Sequence, residues 1–204
     1  MIAIVDYGMG NLASIKNMLK KLGVPSEITS SPSVLEKAEK IILPGVGAFD
    51  NAMINIRNFG LIDILTNKAL KEKVPILGIC LGMQVLMSSS EEGQESGLGW
   101  IEGKSLRFRF SDSNPQLKVP HMGWNRVYPK DTTSLYKNIV DPRFYFVHSF
   151  YVKCQRPEDS LAKTSYGFDF DSSIHKENIY GTQFHPEKSH KFGMQLLKNF
   201  VEIV

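Results

Sequence analysis

Val74-Pro-Ile-Leu-Gly-Ile-Cys-Leu-Gly-Met-Gln84 is an apolar, strand-like run that breaks at Cys80, with Gly78 and Gly82 two positions away on either side. A cysteine held at the tip of a sharp strand-to-helix turn needs such neighbours, because side chains at the flanking positions collide with adjoining backbone. The turn leaves the sulfur exposed at the carboxyl end of a strand. A helix starting near Leu81 aims its free amides and positive dipole end at the sulfur and favours the reactive thiolate. The plain alternative is a buried structural cysteine, a common fate of that residue.

A second stretch weighs against that alternative. Ile179-Tyr-Gly-Thr-Gln-Phe-His-Pro-Glu187 reads as a short strand with His185 and Glu187 two positions apart. In extended chain, residues i and i+2 point the same way, so the carboxylate can fix the imidazole tautomer and leave the other nitrogen to take a thiol proton. Pro186 cannot donate a ladder bond, so the strand is expected to lie at an edge or to end there. A glycine-flanked cysteine and a His-Pro-Glu motif together make Cys80, His185 and Glu187 a candidate catalytic triad.

These motifs resemble those of the class I, triad-type glutamine amidotransferases. Asp6-Tyr-Gly-Met-Gly-Asn-Leu12, Leu43-Pro-Gly-Val-Gly-Ala-Phe49, His121-Met-Gly-Trp-Asn125 and Phe144-Tyr-Phe-Val-His-Ser149 are further similar to the glutaminase subunits of imidazole glycerol phosphate synthase. The resemblance runs from first strand to last helix. It implies glutamine hydrolysis to glutamate and ammonia without a cofactor or metal. It also implies a (β/α)8-barrel cyclase partner in a heterodimer, to which the ammonia passes in histidine biosynthesis. By the same resemblance, the amides of Val46 and Leu81 form the oxyanion site. Gln84, Glu92 and Ser149 bind L-glutamine, Glu92 through its ammonium group. Asn11, Trp124, Asn125, Tyr145 and Lys188 face the partner.

Pro44-Gly-Val-Gly47 has its own physical reading: two glycines at alternate positions let a peptide turn an amide toward an anion, although a simple turn would use them too. Asp6-Tyr-Gly-Met-Gly-Asn11 lacks the third glycine of a dinucleotide fingerprint and a Walker lysine, so a tight strand-to-helix turn is the better reading. His121 and His148 lie in aromatic, β-like surroundings that fit structural histidines, whereas His175 and His190 read as exposed. Glu91 reads as part of a solvated helix face. No His, Cys and carboxylate cluster has metal-ligand spacing.

The rest of the chain agrees with one enzyme domain over residues 1–204. With 42% hydrophobic and 22% charged residues its composition is ordinary for a globular protein. The 24 basic residues are scattered among 21 acidic ones, for a net charge of +3, which gives no nucleic-acid footprint. Cys80 and Cys154 are expected as free thiols in a reducing compartment, because a disulfide would silence the nucleophile. Met1-Ile-Ala-Ile-Val5 meets Asp6 at once and reads as a first strand, not a signal peptide. No apolar run approaches the ~20 residues of a membrane span, so a cytoplasmic location is expected.

The fold class expected is α/β: a mostly parallel sheet flanked by helices, with additional antiparallel β segments. Asn11 is placed to cap a helix whose Leu12, Ile15, Met18, Leu19 and Leu22 share a face, with Gly23 at its end. Ser31-Pro32 opens another helix, Lys40 to Leu43 forms a strand, and residues 61–70 read as helical. From about Leu98 to Gln183 short β segments follow. A last helix after Ser189 carries Phe192, Leu196, Leu197 and Phe200 at helical spacing.

Two other function classes are open to this pattern: a non-catalytic binding subunit of the same fold, and another elbow hydrolase such as a cysteine peptidase. A pathway alternative also remains, because His190-Lys-Phe192 is bulkier than many histidine-pathway members have there. It is a paralogous glutaminase supplying ammonia for sugar amination in surface-polysaccharide synthesis.

Overall fold

The hydrophobic runs of the first half become parallel strands: β1 (Ile2–Val5), β2 (Ser26–Thr29), β3 (Lys40–Gly45) and β4 (Ile76–Cys80). Between them lie α1 (Leu12–Lys21), α2 (Pro32–Glu36), α3 (Phe49–Asn58) and α4 (Ile62–Thr66), the last continued by a π-helical turn over Asn67–Lys71. A computed structural model describes residues 1–110, 117–130, 134–202 and 204. After β4 come α5 (Leu81–Val85), β5 (Ser89–Ser90), β6 (Gly103–Arg107), β7 (His121–Arg126), β8 (Tyr128–Pro129), β9 (Arg143–His148) and β10 (Phe150–Cys154). The chain finishes with β11 (Ser160–Ser165), β12 (Asp169–Lys176), β13 (Ile179–Thr182) and α6 (His190–Glu202).

The main sheet runs β2-β1-β3-β4-β13-β12-β10-β6-β5, with β11 and β8 attached at β12, while β7 and β9 form a separate antiparallel pair. β13 lies parallel to β4, so the last strand in sequence stands in the middle of the sheet. The mixed α/β class read from the sequence is therefore present.

Strand alternation divides the core between the two faces. On β1, Ala3 and Val5 join the cluster under α3, α4 and α5 with Phe49, Ile56 and Leu65. Ile2 and Ile4 face the other cluster, which takes Ile15 and Leu19 from α1 and Leu196, Leu197 and Phe200 from α6. Each fully buried side chain of this kind contributes about 1.5–3 kcal/mol through apolar area removed from water. α3 has no counterpart in the sequence reading, although Phe49, Ala52, Met53 and Ile56 are buried at helical spacing.

Four expectations need correction. Asn11 occupies the cap position of α1, but its side chain makes no capping hydrogen bond. The strand expected to carry His185 and Glu187 ends at Thr182, and Glu187 lies in the 3-10 turn Pro186–Lys188. His175 is half-buried, its ring stacked on Tyr180 at 4.2 Å. Glu91 lies beyond the helix: α5 ends at Val85, and Glu91 accepts the Arg107 amide and pairs with Arg109 at 2.7 Å.

Candidate active site

The nucleophile position follows from β4 meeting α5 without an intervening loop. Cys80 is both the last residue of the strand and the cap of the helix, with φ +55° and ψ −107°. That backbone is sparsely populated for any residue with a Cβ and costs on the order of 1–3 kcal/mol, the kind of strain that accumulates at functional sites. The motif glycines permit the crossing: a Cβ on Gly82 would stand 1.7 Å from the Leu43 carbonyl oxygen. β3 and β4 therefore lock together at the elbow, with Gly45 in register with Cys80.

His185 reaches the elbow by another route than a continuous strand. Its amide donates to the Tyr145 carbonyl at 2.9 Å, and the pair forms an isolated antiparallel bridge to β9. The chain then turns at Pro186, which brings the Glu187 carboxylate back to His185 Nδ1 at 2.7 Å, both side chains being almost fully buried. Nδ1 thus carries the hydrogen, and Nε2, without another hydrogen-bond partner among the described residues, is the nitrogen left for Cys80. Burial opposes charge on this imidazole, but hydrogen bonding and charge from Cys80 and Glu187 outweigh it and raise the His185 pKa from 6.5 to about 10. Such a base readily holds a proton taken from a thiol.

A cleft of about 470 Å³ opens over these residues, and Val46, Leu81, Gln84, Glu92 and Ser149 all line it. Val46 follows the register partner of Cys80 and is 41% exposed, and Gly47 adopts φ +114°. Leu81 contributes the first amide of α5 beside the sulfur. The Glu92 carboxylate accepts the Phe49 amide at 3.0 Å, and burial raises its pKa. Gln84 is not on a solvated face: its amide is buried and donates to the Phe150 carbonyl at 3.1 Å and to Gln183 Oε1 at 3.2 Å.

Gln183 is a functional neighbour that the sequence reading passed over. Its Nε2 donates toward the Cys80 sulfur at 3.7 Å. It stands two positions before His185 in the same motif, so the signal was present. The buried Tyr7 also belongs to these surroundings, with its hydroxyl packed against Gly45 and its pKa raised by burial and then by Cys80.

Of the residues assigned to a partner face, Lys188 lines the cleft and Tyr145 and Trp124 cluster next to it. Trp124 is 48% exposed, meets Tyr145 edge-on at 6.5 Å and stacks on His190 at 5.6 Å. The Lys188 ammonium lies 5.8 Å from the Tyr145 ring centroid. Asn11 is exposed, whereas Asn125 is half-buried and its amide is engaged within the chain, donating to the Ser165 carbonyl at 3.0 Å. Both cysteines are free thiols. Cys154 lines a different cleft of about 390 Å³, where burial, then Asp171 and Asp159, push its thiol up and leave it protonated and inert.

The glutamine amidotransferase class-I family matches residues 3–204. The HisH 2 subunit of imidazole glycerol phosphate synthase from Methanococcus maripaludis is 53% identical over 99% of both chains. The protein of the same name from Pseudomonas aeruginosa is 50% identical over the whole of both chains. A solved glutamine amidotransferase shares the fold at TM-score 0.78 and 18% identity, covering 99% of this chain and 98% of its own. With the Cys-His-Glu arrangement already in place, these relationships make the chain a member of the class I glutamine amidotransferases and, within them, of the HisH subunits of imidazole glycerol phosphate synthase.

Proposed function

We propose that Cys80, His185 and Glu187 hydrolyse glutamine in the cleft above the elbow. Cys80 attacks the side-chain amide, His185 takes the thiol proton and delivers it to the departing ammonia, and Glu187 orients His185. The resulting γ-glutamyl thioester is cleaved by water to glutamate and the free thiol. The observation that carries this reading is the meeting of a strained cysteine at a strand-helix junction with a buried His-Glu pair at 2.7 Å. The amides of Val46 and Leu81 serve as the oxyanion site, where one such donor is worth ~10²–10³ in rate. Gln84, Glu92 and Ser149 hold the substrate, with the Glu92 carboxylate toward its ammonium.

The partner is a (β/α)8-barrel cyclase in a heterodimer, docked over Asn11, Trp124, Asn125, Tyr145 and Lys188, and the complex works in the cytoplasm. Ammonia released to neutral water becomes largely ammonium and loses its nucleophilicity, which favours direct transfer to the barrel. There it enters the synthesis of imidazole glycerol phosphate for histidine. The test is Cys80→Ala in the complex: glutamine-dependent synthesis is lost while synthesis from ammonium salts persists. Glutaminase activity surviving in Cys80→Ala would defeat the mechanism.

A second reading, ammonia supply for sugar amination, is supported by the copy number in the two relatives' printed names and by the bulky His190 stacked on Trp124. Complementation of a histidine auxotroph with this chain and its native partner separates the two. Growth without histidine supports the histidine pathway. Failure by a stable, glutaminase-competent pair favours the sugar pathway.

A further inference from the structure

We infer that His121 and His148 are positioning residues of the glutaminase site: a hydrogen-bond chain from Asn125 on β7 runs through them to the Phe150 carbonyl, which also anchors the chain through Gln84 and Gln183 that ends at the Cys80 sulfur. The inference rests on the glutaminase reading for its functional meaning and on hydrogen-bond geometry, with both rings neutral, for the chain itself.

The direction of every link can be deduced. The Arg126 amide donates to Asn125 Oδ1 at 2.8 Å, which fixes the flip of the Asn125 side chain and makes its Nδ2 the donor. Nδ2 has two hydrogens, directed at the Ser165 carbonyl at 3.0 Å and at His121 Nε2 at 3.2 Å. An Nε2 that accepts puts the hydrogen of neutral His121 on Nδ1, and Nδ1 donates to His148 Nε2 at 2.9 Å. His148 must then carry its hydrogen on Nδ1, which donates to the Phe150 carbonyl at 2.8 Å. Burial lowers the pKa of His121 to about 4 and that of His148 to about 3, so both rings stay neutral and each tautomer is single at neutral pH.

From the other side the same carbonyl receives Gln84 Nε2 at 3.1 Å. Gln84 Nε2 spends its second hydrogen on Gln183 Oε1 at 3.2 Å, and this fixes Gln183 Nε2 as the donor to the Cys80 sulfur at 3.7 Å. No link has two donors or two acceptors facing each other. A merely structural histidine pair needs satisfied nitrogens, but it does not need to pin the carbonyl that anchors Gln84. Here the pinned carbonyl follows Ser149 directly, and His148, Ser149, Phe150 and Gln84 all line the glutamine cleft. The consequence is that the carbonyl anchoring Gln84 and, through it, the Gln183 donor to the nucleophile is held in place from β7, a strand outside the main sheet.

The test uses the full chain, alone and with its native partner. His121→Phe keeps a ring stacked against Phe146 and Tyr166 but removes both nitrogens. It is expected to slow iodoacetamide alkylation of Cys80 about tenfold, to move the alkylation pH profile upward, and to lower glutamine kcat by a similar factor with a smaller change in KM. His121→Asn, which places an amide donor near the former Nδ1, is expected to recover part of the loss. Ile15→Val in the α1 core shows what lost stability alone does, and it should leave alkylation and kcat within about twofold of native. Gln183→Met probes the sulfur end and carries the test if His121→Phe does not fold. Alkylation within about twofold of native in folded His121→Phe or in Gln183→Met overturns the inference. The absence of glutamine hydrolysis by the native complex would sink the glutaminase reading instead, and the alkylation measurements would still decide this one.

Discussion

His185 is the residue whose chemistry is most exposed to solution conditions. Its folded pKa, about 10, lies above the ordinary 6.5, so the folded chain binds this proton more tightly than the unfolded chain does. The stabilisation is fully present below about pH 6.5 and is lost as the pH rises through about 10. Urea unfolding across that window should show native stability falling toward alkaline pH more steeply than in His185→Gln, and parallel curves would refute the assignment. That the histidine and the glutamate act together was legible in their spacing. How they meet was not, because the reading assumed an extended chain, and Pro186 instead starts a turn that folds the carboxylate back. Gln183 was overlooked for a related reason: a glutamine advertises no reactivity, and its importance comes from a sulfur contributed by a distant strand.

At the scale of elements, the catalytic turn is held from behind by α6. A Cβ added to Gly193 would stand 1.8 Å from the Pro186 carbonyl oxygen, so the helix backbone is pressed directly against the residue between His185 and Glu187. Gly193→Ala is expected to push the helix and turn apart, costing about 1–3 kcal/mol from overpacking and reducing glutaminase activity by more than its effect on folding explains. Thermal melting and kcat measured on the same preparation check this; a destabilised variant with native kcat would show that the turn is held by other contacts. The amphipathic stripe of α6 was plain in the sequence, as were the parallel strands of the first half, because long apolar runs report their burial locally. The antiparallel strands were legible only as a class. Their order depends on pairings between distant segments, and the separation of β7 and β9 from the main sheet left no mark in either strand.

For the whole molecule, the exposed aromatic cluster of Trp124 and Tyr145 with Lys188 borders the cleft, so whatever covers that face lies next to the catalytic turn. The isolated subunit is expected to be a poor glutaminase that its partner activates when acceptor substrate is bound. Reversing charge at Lys188 or truncating Trp124 should weaken partner binding or activation while leaving the melting temperature near native. An isolated chain that turns over glutamine as fast as the complex does would remove the case for such control. The residues that line the cleft were picked out by motifs and resemblance, but the polar path from Asn125 to Cys80 required coordinates, since its links come from β7, β9, β10, α5 and the segment after β13. The placement of β13 between β4 and β12 also has a consequence for biosynthesis. During translation the ribosome releases β13, the base and its carboxylate only after β1 to β12, so a nascent chain that has not reached β13 holds two partial sheets with unpaired edges and a cysteine without its base. Unfinished or prematurely terminated chains therefore cannot consume cellular glutamine, and their open strand edges mark them for capture by chaperones or proteases.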